Sequence, residues 1–300
     1  MMVRIPTKIS LIKPNHFKIN EQALPTNKFM TKKEYQNHLQ ERVFKEHDGL
    51  YQALLQHNFD VTLYENTISE APDALFGNNW MSVHHPMETG FRKVLCILYP
   101  MALENRRIEV REDIIQDIQN MYNCDILDLR AMCDWAYLEG TGSIVFDRYQ
   151  KTMYATLSPR TYYWKLLELS NLLDYKLHLC YSSYKGSPVY HTNVLMSIGE
   201  TWAVVCFEVL YECNHNKIRN HLKNSNRDII EISSYQMTQY CGNIIELINK
   251  DGVAYTIMST TAYRAFTPEQ IIKLGNVIHV PFETIETYGG GGVRCCITEI

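Results

Sequence analysis

Four segments of this 300-residue sequence combine side chains able to do chemistry with backbone able to present them. In Gly289-Gly290-Gly291-Gly292-Val293-Arg294-Cys295-Cys296 a thiol follows four glycines. Each glycine costs a regular element about 1 kcal/mol relative to alanine, so the run needs a reason, such as close approach of backbone to a ligand. The Arg294 cation beside Cys295 favours a thiolate, which makes Cys295 the best nucleophile candidate. Cys296 points the other way if the segment is extended. The second segment, Leu138-Glu139-Gly140-Thr141-Gly142-Ser143, sets a lone carboxylate beside a tight turn. The third, Val189-Tyr190-His191-Thr192-Asn193-Val194, carries a histidine with an amide two residues on. The fourth, Pro72-Asp73-Ala74-Leu75-Phe76-Gly77-Asn78-Asn79-Trp80, is a polar loop with one carboxylate and two adjacent amides. A cysteine, a histidine and a carboxylate are together the parts of a thiol hydrolase or transferase.

Other candidates read as scaffold. His84-His85 would face opposite sides of a strand and cannot easily share one ion, and His215 and His221 fall on a surface helix. The nine cysteines show no paired C-x-x-C spacing, so they read as reduced, buried thiols rather than a disulfide frame or zinc site. With 29 basic against 33 acidic residues, neither nucleic acid nor an anionic membrane is favoured as a partner, and a small molecule fits better. Apolar runs such as Val94 to Leu98 are too short to span a bilayer, and the first residues lack a signal-peptide core, so a cytoplasmic location is expected.

The elements that must position these groups follow a repeating order. Strands are predicted at Lys8 to Ile12 and Phe59 to Tyr64, flanking a helix from Lys32 to His57 with Thr31 as N-cap. A strand at Lys93 to Tyr99, a helix at Arg111 to Tyr122 and a strand at Ile126 to Leu129 come next. Ser143 to Phe146 and Met153 to Leu157 form a hairpin, followed by a helix from Arg160 to Leu173 and a strand from Lys176 to Cys180. The theme returns as Trp202 to Phe207, a helix at Asn216 to Lys223, and Ile229 to Ile232. It returns again as Asn243 to Ile248, Ala254 to Met258, a helix at Thr267 to Leu274, and Val277 to Val280. No linker rich in Pro, Gly or Ser interrupts it, so residues 1–300 read as one domain of several similar strand-strand-helix-strand units.

Taken in chain order, the segments beginning at Pro72, Leu138, Val189 and Gly289, with Leu157-Ser158-Pro159-Arg160-Thr161 between those at Leu138 and Val189, resemble the guanidino-group-modifying enzymes of the pentein superfamily. That superfamily includes arginine deiminase and dimethylarginine dimethylaminohydrolase. The resemblance implies an α/β fold, a five-bladed propeller around a central site. It implies Cys295 as nucleophile, His191 as acid and base, Glu139 as their partner, Arg160 on the substrate α-carboxylate and Asp73 on the α-ammonium. Phe76, Asn79, Asn193 and Arg294 complete the substrate-binding set, with no metal or organic cofactor.

The sequence departs from the deiminase pattern where Asn79 and Asn193 stand in place of aspartates. A guanidinium offers donors only, whereas a neutral ureido group offers an acceptor oxygen that a side-chain amide can complement. A neutral substrate is thereby favoured, and because Asn78-Asn79-Trp80 and His191-Thr192-Asn193-Val194 also resemble the branch that contains citrulline ureidases, that resemblance makes citrulline ureidase, forming ornithine, ammonia and carbon dioxide, the first expectation. Arginine or dimethylarginine hydrolysis is the second, and an amidinotransferase the third. A non-catalytic propeller is the alternative of another class, because fold alone does not establish activity. A homo-oligomer is compatible with all of these.

Overall fold

The computed structural model describes residues 8–31, 38–130 and 135–300. Its strands form five three-stranded sheets, each with an antiparallel pair on one side and a parallel pair on the other. Parallel neighbours need a crossover, and each crossover carries a main helix, preceded by a shorter one (Glu104–Arg107, Thr260–Ala265) in the second and fifth sheets. In the first sheet β1 (Lys8–Ile12) runs through the helix Leu39–Gln56 to β2 (Asp60–Tyr64). The second holds β3 (Met81–His84), β4 (Leu95–Leu98) and β5 (Asp125–Asp128), with the helix Glu112–Tyr122 before β5. The third holds β6 (Ile144–Asp147), β7 (Thr152–Thr156) and β8 (Lys176–Cys180), crossed by Tyr163–Leu173. The fourth holds β9 (Met196–Ile198), β10 (Trp202–Val205) and β11 (Asp228–Glu231), crossed by Glu212–Asn224. The fifth holds β12 (Ile245–Ile248), β13 (Ala254–Ser259) and β14 (Val277–Val280), crossed by Pro268–Leu274.

The last strand, β15 (Thr298–Glu299), returns to the first sheet, pairing Ile9 with Glu299 and Ser10 with Thr298. This joins the first and last described strands in one blade and closes the ring. The strands β15, β3, β6, β9 and β12 are the innermost of their sheets, and β15 meets β3 while β9 meets both β6 and β12. The fold is a five-bladed α/β propeller, as the resemblance implies.

Apolar side chains fill the spaces between each sheet and its helix. In the first blade Val43, Leu50 and Leu54, one face of the helix at three and four residue steps, pack on Ile9 and Leu11. Ile114, Ile115 and Ile118 do the same against Cys96 and Leu98 in the second. Among the described residues eight cysteines are free thiols and all but Cys213 are buried. No helix among them is long and apolar enough to cross a membrane.

Several boundaries move. The first helix is described from Leu39, with His38 before it at φ 71°, so Thr31 does not cap its described start; residues 32–37 lie outside the described residues. The third-blade helix begins at Tyr163 rather than Arg160, because Ser158 to Thr161 form a turn that holds the site. Asn243 lies in the turn before β12 rather than in the strand.

Candidate active site

A short turn precedes each innermost strand, and the polar side chains of interest sit on these turns. Gly77–Asn79 leads into β3, Gly140–Ser143 into β6, Thr192–Leu195 into β9 and Val293–Cys296 into β15. A turn from Tyr240 to Asn243 leads into β12. Because the blades radiate from one axis, residues 79, 139, 191, 243 and 295, far apart in sequence, gather at one end of it.

Cys295 Sγ, buried, lies 3.2 Å from Asn243 Nδ2 and 3.7 Å from Asn193 Nδ2. Burial pushes its pKa up, against the pull of the Asn243 hydrogen bond, the Arg294 cation and Asn193. Glu139 Oε2 is 2.7 Å from His191 Nε2, and Oε1 accepts the Ala102 backbone N–H at 3.0 Å. Burial alone would raise the Glu139 pKa. Arg160 at 3.4 Å, the His191 hydrogen bond and Arg106 at 3.8 Å outweigh it and hold the carboxyl well below the usual carboxylate range. His191 is pushed down to about 4, chiefly by burial, despite Glu139. At rest the site therefore holds a carboxylate, a neutral imidazole and a neutral thiol.

Gly140 and Gly142 make this packing possible. Gly140 takes φ +45°, and a Cβ there would lie 2.5 Å from Asn78 O. A Cβ on Gly142 would lie 2.5 Å from Asn79 Nδ2 and 2.7 Å from the His191 ring. The imidazole and the Asn79 amide can pack against that turn only because positions 140 and 142 carry no side chain. Ser143 Oγ accepts from Glu139 N and Thr161 Oγ1 and donates to Arg160 O, so the Ser-x-Arg-Thr turn is stitched to the glutamate turn.

A small cavity opens between these groups, lined by Asp73, Phe76, Asn79, Arg106, Arg160, Tyr190, His191, Gly289, Gly290, Gly291 and Cys295, with Ala23 and Asn27 from the N-terminal segment. Asn20 Nδ2 donates to Asp73 Oδ2 at 2.7 Å, Asn27 Nδ2 to Gly290 O, and the Thr26 hydroxyl takes two hydrogen bonds from Arg160. The segment thus straps the cavity shut. Arg160 also lies over the Tyr190 ring at 5.0 Å. Asp73 Oδ1 is buried without a hydrogen-bond partner among the described residues. Burial raises the Asp73 pKa against Arg106 and the Asn20 hydrogen bond.

Eight of the nine residues singled out from sequence converge here, though not all as expected. Asn193 does not line the cavity; its amide turns to the sulfur. Arg294 is the exception. Its guanidinium donates to Ile297 O at 2.8 Å and Glu299 Oε2 at 2.9 Å, because the helical turn Val293–Cys296 sends neighbouring side chains to different sides. It acts on the sulfur through charge and is corrected here from a substrate contact to a support behind the nucleophile.

Three residues escaped the sequence reading. Arg106 is buried, donates to both Glu109 oxygens at 2.8 and 2.9 Å, and reaches Asn79 Oδ1 at 2.9 Å. Because a guanidinium only donates, this contact fixes the Asn79 amide: its oxygen faces Arg106 and its nitrogen Asn78 Oδ1. Asn243 is the second. Tyr190, third, donates to Gly290 O at 2.6 Å. His84 and His85 do diverge, one toward Ser82 Oγ and the other against the Tyr122 ring.

Residues 13–300 match the family model described as N,N dimethylarginine dimethylhydrolase, eukaryotic. The chain belongs to this family, within the guanidino-group-modifying superfamily. A search of curated protein sequences finds no significant match. Among solved structures, apo ArgZ, an arginine dihydrolase from the ornithine-ammonia cycle in cyanobacteria, superposes with a TM-score of 0.76 at 16% identity. The match covers 97% of this chain and 40% of that one, so the chain spans well under half of the full-length dihydrolase. The N-terminal domain of ArgZ, in a cysteine-to-serine mutant bound to substrate, gives 0.75 at 16% identity over 97% of this chain and 98% of that one. DDAH from Pseudomonas aeruginosa, also a cysteine-to-serine mutant and complexed with citrulline, gives 0.68 at 20% identity over 99% and 100%. At these identities the likeness is one of fold.

Proposed function

We propose that the protein is a cysteine-dependent hydrolase acting on the terminal ureido or guanidino carbon of an arginine-like α-amino acid, with citrulline as the first substrate and ornithine, ammonia and carbon dioxide as products. The observation that carries this reading is the shared cavity. Cys295 and His191 line one cavity with Arg160, whose guanidinium suits a carboxylate, and with Asp73, whose free oxygen suits an ammonium.

Attack begins as the thiol proton of Cys295 passes to His191, giving a thiolate and an imidazolium that Glu139 stabilises at 2.7 Å. The sulfur bonds to the substrate carbon, His191 returns the proton to the departing nitrogen, and the carbon–nitrogen bond breaks. Water, deprotonated by the now neutral His191, then displaces the sulfur, which regains its proton; the carbamic acid released still holds the second carbon–nitrogen bond and decomposes to carbon dioxide and the remaining amine. Citrulline is preferred over a cation because the Asn79 oxygen is already engaged by Arg106, which leaves the amide nitrogen as a donor toward a ureido oxygen.

A second reading, arginine or N,N-dimethylarginine as substrate, draws on the family description and on the dihydrolase named among the structural neighbours. Incubation with citrulline, arginine and dimethylarginine side by side, followed by amino-acid analysis, separates the readings. Ornithine from citrulline supports the first; turnover of arginine or dimethylarginine with citrulline inert replaces it with the second. No turnover of any of the three, with Cys295 no more reactive than a model thiol, would favour a binding protein.

A further inference from the structure

Five equivalent turns precede the innermost strands, and the reading above uses four: Asn79 before β3, Glu139 before β6, His191 before β9 and Cys295 before β15. The fifth, before β12, presents Asn243. We propose that Asn243 is the positioning residue of the nucleophile, a fixed amide that favours the ionised sulfur of Cys295 over its thiol. The proposal rests on the reading of Cys295 as the attacking atom.

Asn243 is buried, and its Nδ2 donates to the Asn193 backbone carbonyl at 2.9 Å, which fixes the orientation of the amide. Held this way, Nδ2 lies 3.2 Å from Cys295 Sγ and Oδ1 lies 3.5 Å from it. Of this amide a thiol can donate only to the farther oxygen, with Asn193 Oδ1 at 4.0 Å as a longer alternative; a thiolate accepts from the nearer nitrogen. Hydrogen bonds to an ionised partner are about twice as strong as neutral ones, so ionisation trades a weak contact for a stronger one without moving the amide. Gly292, one turn ahead of the sulfur, leaves room for this: a Cβ there would lie 2.8 Å from Asn243 Oδ1. Asn193 Nδ2 adds a second, longer donor at 3.7 Å.

The test is a titration of the ultraviolet absorbance of the Cys295 thiolate in the full chain without substrate, with the same titration of C295S subtracted. Asn243→Asp keeps the shape but replaces the donor by acceptors, and is expected to raise the midpoint by about one pH unit or more and to lower kcat/KM at neutral pH about tenfold, with recovery at alkaline pH. Gly292→Ala, which pushes the amide away while leaving its chemistry intact, is expected to shift the midpoint in the same direction and gives a second route if the aspartate variant does not fold. An unmoved midpoint in the folded variants overturns the proposal. Turnover retained by C295S would instead remove the nucleophile assignment, and the proposal with it.

Discussion

Glu139→Gln is the sharpest test of the electrostatics, because one oxygen atom faces three positive or protonatable groups. Oε2 lies 2.7 Å from His191 Nε2, 3.4 Å from Arg160 Nη1 and 3.8 Å from Arg106 Nη1. Glutamine keeps the volume but not the charge. Losing the support of the imidazolium is expected to lower kcat/KM about 100-fold or more, the lower range for a general acid and base. It also leaves the buried Arg160 guanidinium short of a counter-charge, while Arg106 keeps Glu109, which costs about 3 kcal/mol and lowers Tm by about 5 °C for a chain of this length. The sign with pH follows from the depressed Glu139 pKa. A carboxyl held below its unfolded value contributes stability that is full above the ordinary carboxylate range and is lost as pH falls through the folded value. The Tm gap between wild type and Glu139→Gln should thus be widest at neutral pH and close in acid. Scanning calorimetry across pH, beside steady-state assays, reads both effects. A variant within threefold of wild-type activity, or a Tm gap that widens in acid, would refute the arrangement of charges described here.

Asn79→Asp pairs a carboxylate with Arg106 and adds acceptors at the reacting end; it should raise the arginine-to-citrulline ratio of kcat/KM at least about tenfold, read by parallel assays, and an unchanged ratio would remove Asn79 from substrate choice. Arg160→Ala should raise KM about 100-fold with a smaller change in kcat, since its charge-assisted contacts to a carboxylate are worth about 3 kcal/mol; an unchanged KM would leave Arg106 as the carboxylate site. Gly142→Ala forces a methyl against Asn79 and His191 and should cost about 1–3 kcal/mol by denaturant unfolding as well as most of the activity.

The long elements were legible because each carries its own periodicity. Lys8–Ile12, Lys176–Cys180 and Val277–Val280 have the ends expected from pattern alone. The strands that carried no signal are Met81–His84, Met196–Ile198 and Thr298–Glu299, with four, three and two residues. The two- and three-residue segments are too short to display an alternation, and Met81–His84 is buried on both faces at the axis, so it shows none. The helix from Glu212 was read as starting at Asn216 because its first turn is polar throughout. Cys295, His191 and Glu139 stood out through glycines and motif order. Arg106 did not: beside Arg107 in Glu104–Arg107 it looks like solvated surface charge, and only its burial against Glu109 and Asn79 reveals it. Asn243 had no local signal either. The one clue to it was the repeat itself, since every other innermost strand follows a turn with a site residue.

That repeat also explains why the nucleophile can sit so near the end of the described chain. The strand after Cys295 has two residues, too few to hold a sulfur in place by pairing with β1 alone. Core packing of Val293, Cys296 and Ile297 holds it too, and a chain of ion pairs adds a further constraint. Arg294 grips Ile297 O and Glu299, Glu299 lies 3.5 Å from Arg148, and Arg148 pairs with Glu88 beside His84, so the nucleophile turn is tied across the axis to the second and third blades. The same Arg294 that a linear reading assigns to the substrate instead fixes the backbone carrying the thiol and lends it positive charge from behind. The cavity itself is lined by Arg160 and Arg106, which come from blades whose strands are longer than β15.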